Sequence, residues 1–144
     1  MTASPITATD LVRPHLFGTG HRQPLSTGAD QWRDLAPDIL RQRLVIEGVP
    51  AHAVDDELIR DYLSALSRAV DMVQLIEPVT HRSDLYGWAG WIHWETSGAH
   101  FYSWERPVSF FSVDIYTCKA FDPAAVVAFT EDYFRTTEIV AREF

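Results

Sequence analysis

Residues 87–118 read GWAGWIHWETSGAHFYSWERPVSFFSVDIYTC. Three strand candidates lie in this stretch, Gly87–Trp94, Ala99–Trp104 and Ser109–Cys118, joined by turn-forming or tight connections. Successive side chains of a strand point to opposite faces, so each candidate divides into two sets. One set holds Trp88, Ile92, Trp94, Phe101, Phe111, Val113 and Ile115, an apolar face suited to cover by helices. The other holds Ala89, Trp91, His93, Glu95, His100, Tyr102, Trp104, Phe110, Ser112, Asp114, Tyr116 and Cys118, aromatic and polar together. A solvated sheet face more often carries Lys, Thr and Glu. Aromatic walls with a few converging titratable groups suit a ligand pocket or a sheet-to-sheet interface. Half of a dimer interface is the plainer reading, and interface plus pocket is the expectation.

Working outward, Arg41–Glu47 reads as a short strand followed by a turn at Gly48-Val49-Pro50. An amphipathic helix is predicted over Asp56–Val73. Leu58, Ile59, Tyr62, Leu63, Leu66, Ala69, Val70 and Val73 share one face, and Asp55 is placed to cap the first turn. Gln74–Thr80 is a further strand candidate. Asp122-Pro123 starts a second helix with proline at its first position, running to about Arg135, and Glu138–Arg142 reads as a last short strand. Two helices and mostly hairpin-connected strands predict an α+β fold, an antiparallel sheet with both helices packed on one face. Residues 1–38 are rich in proline and glycine and read as an extended N-terminal arm; Leu11, Val12, Leu16, Phe17 and Trp32 are available to dock on a body or partner. Residues 39–144 then form a single domain.

The net charge of −8, with no basic stripe, argues against nucleic acid and anionic membranes as partners. One cysteine, Cys118, excludes an intrachain disulfide, and no apolar run reaches membrane-spanning length. With no export signal evident at Met1–Thr9, the expectation is a cytoplasmic protein whose partner is a small molecule or another protein.

On the polar face, His93 and His100 are candidates for general acid or base, because an imidazole titrates near neutral pH and Asp114 or Glu95 is placed to orient it. His93, Glu95 and His100 also approximate two histidines and a carboxylate, but no metal-ligand spacing supports them and no metal is expected. Trp91, Trp104, Phe110 and Tyr116 are candidates for stacking on a planar or apolar ligand, with Glu95 and Glu47 as polar contacts. His81-Arg82 reads as a strand end or loop with a structural role.

The bacterial S-adenosylmethionine decarboxylases carry a segment of approximate form H-R-x-S/L-P-x-G-V-S-G, then an apolar run, then E-S-H-x-x-x-H-T-W-P-E, then D-[IVL]-F-T-C-G. This chain resembles them. His81-Arg82, Gly87, Gly90, Ser97, Trp104 and Asp114-Ile115-Tyr116-Thr117-Cys118 fall in the same order, without a gap from His81 to Trp104. More weakly, the resemblance runs from about Leu40 to the C-terminus and includes Leu44-Val45-Ile46-Glu47 and Asp122-Pro123; the arm has no counterpart. The resemblance implies self-cleavage at Ser97, which would become a pyruvoyl group, with Cys118 as a proton donor in decarboxylation. The helper positions differ. Tyr102 stands where the family has a histidine, and a phenol, ordinarily titrating at about pH 10, is a poor base. Ala89 replaces the processing serine and has no side-chain hydrogen bond to offer. Thr96-Ser97-Gly98 replaces Glu-Ser-His, and Glu105-Arg106 stands at the later Pro-Glu.

The expectation is therefore a repurposed small-molecule enzyme on this scaffold, a lyase or cyclase of specialised metabolism acting by acid–base catalysis without a cofactor. Its catalytic candidates are Tyr102, His93, His100, Asp114, Cys118 and Ser97, and a homodimer is expected, as in that family. Two alternatives stay open: a self-processing decarboxylase of polyamine biosynthesis with a pyruvoyl group from Ser97, and a non-catalytic binding or regulatory paralogue.

Overall fold

A computed structural model describes residues 34–144. Residues 1–33 of the expected arm, with the apolar residues named for docking, lie outside the described residues. The elements are β1 (Gln42–Val49), α1 (Asp56–Ala69), β2 (Val79–Ser83), β3 (Gly87–Trp94), β4 (Ser97–Trp104), β5 (Phe110–Thr117), α2 (Pro123–Phe134) and β6 (Glu138–Glu143). They form one six-stranded sheet in the order β2-β3-β4-β5-β1-β6, antiparallel throughout. Strands β2 to β5 follow one another as hairpins, while β1, first in sequence, is inserted between β5 and β6.

Both helices cover one face, as the α+β reading expects. Asp55 caps α1 by accepting from the Leu58 N–H at 2.9 Å, and Asp122 caps α2 by accepting from Ala124 and Ala125. Helix α1 buries Ile59, Tyr62, Leu63 and Leu66 against Ile92, Trp94, Phe101, Phe111, Val113 and Ile115. Tyr62 is the aromatic hub, with ring centroids at 4.7 Å from Phe134 and 5.5 Å from Phe101. Its hydroxyl meets Thr130 Oγ1 at 2.9 Å, and burial pushes the phenol's pKa well up, so it stays a neutral core group. Trp94 Nε1 donates to Ser67 Oγ at 2.7 Å, satisfying the buried indole.

Several boundaries differ from the sequence reading. Strand β1 continues through Gly48 and Val49, because Gly48 pairs with both β5 and β6 and Val49 pairs with β6. Helix α1 ends at Ala69, where Asp71 takes a left-handed conformation (φ 52°) and the Asp71 and Met72 N–H groups bond back to the last turn. Gln74–Thr80 is not a full strand. Gln74 makes an isolated bridge to Trp94, Pro78 removes a ladder donor, and β2 begins only at Val79, placing His81 and Arg82 inside a strand. Strand β4 begins two residues early, at Ser97, which leaves Glu95 and Thr96 as the turn of the β3–β4 hairpin.

Gly90 sets the depth of helix packing. A Cβ there would sit 2.5 Å from Ile59 Cγ2, a separation real contacts do not reach. Gly90→Val is expected to lower unfolding free energy by about 1–3 kcal/mol through overpacking. The neighbouring Ala89→Val, on the uncovered face, should shift it by less than about 0.5 kcal/mol. Equal effects in urea denaturation would contradict the face assignment.

Candidate active site on the uncovered sheet face

Strand pairing fixes which polar-face residues become neighbours. Asp114 lies opposite His100 on β4 and Val45 on β1; His100 lies opposite Trp91; Tyr116 lies opposite Gly98 and Arg43; His93 lies opposite Gly98. Arg43, Trp91, His93, Ser97, His100, Asp114 and Tyr116 line a cavity of about 410 Å³. Gly98 gives it floor space, since a Cβ at this position would lie 2.3 Å from the Ile92 carbonyl oxygen. The Trp91 and His93 rings meet edge to face at 4.8 Å. Six of the twelve expected site residues are thus gathered by the fold.

The electrostatics differ from the sequence reading. Asp114 does not orient a histidine through a hydrogen bond. Both its oxygens accept from Arg43, Oδ1 from Nε at 3.0 Å and Oδ2 from Nη2 at 2.7 Å. The carboxylate beside it raises the Arg43 pKa above its ordinary value, first through these hydrogen bonds and then by charge. Sequence reasoning missed Arg43 because the two residues are 71 positions apart and only the β1–β5 register makes them diagonal neighbours. Glu95 leaves the site altogether. It is exposed in the hairpin turn, where its N–H donates to the Val73 carbonyl, so His93, Glu95 and His100 do not converge.

Ser97 and Cys118 meet at the end of the face, with Ser97 Oγ donating to Cys118 Sγ at 3.6 Å. Cys118 is held there by its own N–H, which donates to the Thr96 carbonyl at 2.9 Å. Ser97 has φ 137°, a region that side chains rarely adopt, so its backbone is strained. The remaining candidates stand elsewhere. Trp104 stacks on Phe110 at 5.7 Å, and Tyr86 packs against both Trp104 (5.4 Å) and Tyr102 (6.3 Å). Burial, and secondarily Tyr102, raises the Tyr86 pKa. Tyr86 lies in the β2–β3 connection, where no periodicity marks it. Glu47 and Phe110 line a separate cavity of about 180 Å³ with Glu138 and Val140. Tyr102 stands five residues along β4 from Ser97, roughly 16 Å at the rise of a strand. It lies opposite Ala89 and Ser112.

An antiparallel sheet with two helices on one face and a polar, aromatic cavity on the other defines an open-faced α+β scaffold of the S-adenosylmethionine decarboxylase type. Residues 44–144 match the family model described as S-adenosylmethionine decarboxylase, and the chain belongs to that family. Among solved structures it is similar to the adenosylmethionine decarboxylase from Aquifex aeolicus VF5, with a TM-score of 0.60 and 19% identity over 74% of this chain and 89% of that one. That likeness establishes the fold. No curated protein matches.

Ala89 presents only a methyl group on the open face, and Tyr102 is most of a strand's length away from Ser97. Ser97→Gly is expected to raise unfolding free energy by about 1 kcal/mol, since relief of the positive φ outweighs the added freedom of the unfolded chain. Chemical denaturation checks this, and a loss of stability would contradict the strain.

Proposed function

We propose that this protein is a small-molecule enzyme of lyase or cyclase type, working by acid–base catalysis in the cavity between β3, β4 and β5 without a pyruvoyl group. The observation that carries this reading is the convergence of His93 and His100 with Trp91, Asp114 and Tyr116 around one cavity. An imidazole there takes a proton from a substrate carbon or heteroatom and returns it elsewhere on the same molecule, so no co-reactant is consumed. Trp91 and Tyr116 supply flat apolar surface for the substrate body. The exposure of Tyr102 (42%), Tyr116 (44%) and Val140 (57%) on the same face supports a homodimer formed through it, with sites at the interface. No helix among the described residues is long and apolar enough to cross a membrane, and a cytoplasmic location is proposed.

Intact-mass spectrometry of the purified protein is expected to give one species near 16.4 kDa. Two fragments divided between Thr96 and Ser97 would replace this reading with that of a self-processing decarboxylase, which the strained Ser97 backbone favours. His93→Ala and His100→Ala are each expected to keep the circular-dichroism spectrum and cut turnover by about 10²–10⁴-fold, the usual share of a general acid or base. Tyr102→Phe tests whether the hydroxyl takes part across the dimer. Full activity in all three variants would remove the site from this cavity.

A further inference from the structure

The Arg43 guanidinium carries five N–H donors, and Asp114 occupies the edge formed by Nε and Nη2. Three donors remain, two on Nη1 and one on Nη2, and none has a hydrogen-bond partner among the described residues. One from each nitrogen forms the second, end-on edge of the fork, which matches a carboxylate in bidentate geometry. The guanidinium is held in place. Asp114 fixes one edge, and its plane lies over the Phe144 ring, 5.2 Å from the centroid. Arg142 packs on the same ring at 4.9 Å and has no ion pair among the described residues.

We infer that Arg43 is a specificity-determining residue that anchors the carboxylate of a substrate whose flat apolar body lies against Trp91 and Tyr116. The class of ligand is a small aromatic or otherwise planar monocarboxylic acid. This rests on the cavity being the substrate site, as proposed above. Asp114, in this arrangement, is a positioning residue: it aligns the fork and cancels part of its charge, so an anion is recognised by geometry as well as by sign.

Indole-3-acetate, indole-3-acetamide and tryptamine share one ring system and differ in charge, which makes them suitable probes for titration followed by ¹H–¹⁵N spectra of the tryptophan indole groups. Indole-3-acetate is expected to bind about tenfold or more tightly than either of the others, the amount a charge-assisted bidentate contact supplies. Arg43→Gln should abolish that preference, and Arg43→Lys should keep part of it, because the ammonium retains charge without the fork. Preference for tryptamine would assign the cavity's polarity to Asp114 and overturn the inference. Equal binding of the three, no binding of the carboxylate at millimolar concentration, or an undiminished preference in Arg43→Gln would overturn it as well. Should Arg43→Gln fail to fold, the ranking of the three probes on the unmodified protein still decides. Cleavage at Thr96–Ser97 would end the acid–base reading, while the comparison of indole-3-acetate with indole-3-acetamide, neither of which forms a Schiff base, would still test Arg43, so the two fail separately.

Discussion

Helix α1 rests directly on the sheet at Gly90, where the Ile59 side chain occupies the space a Cβ would need. Much of the molecule follows from that approach. It brings Leu63 down onto β3 and closes the aromatic cluster of Tyr62, Phe101 and Phe134. It also decides that residue 90, and with it 92 and 94, points inward. Once that is set, pairing across the sheet decides the direction of every other strand residue. The opposite side is then left to a different chemistry, because both helices are spent on one face.

That uncovered side is not uniform. One end carries a ring stack of Tyr86, Trp104 and Phe110; the other carries the cavity with the histidines and the Arg43–Asp114 pair. Between them lie Tyr102, Ala89 and Ser112, with Glu47 opposite Ser112 on β1. The separation of Ser97 from Tyr102 along one strand means that the two ends work apart within a protomer.

The division of the sheet into two faces was legible in the sequence because it depends only on a period of two within a single strand. Ile92, Trp94, Phe101, Phe111, Val113 and Ile115 are all buried on the helix side as that period requires. Both helix starts were legible too, since Asp55 and Asp122-Pro123 act on residues two or three positions away. What failed was whatever depended on a local break in regularity or on register between distant segments. Glu95 belongs to the face only if the strand continues, and a two-residue turn interrupts it. The end of α1 at Ala69 is set by left-handed Asp71, a residue with no glycine to announce it. Arg43 was invisible as a site residue because nothing within β1 marks which strand it will lie beside.

The same period of two has a consequence for descent. On β3 the buried positions are even-numbered and the open ones odd, and on β4 and β5 the parity is reversed. Mutations of one parity are judged by packing, and those of the other by chemistry. A change at an open position such as Ala89 or Tyr102 therefore leaves the packed set of the same strand untouched. Divergent catalysis on a conserved frame needs no compensating change in the core when the two are carried by alternate letters of the same strand.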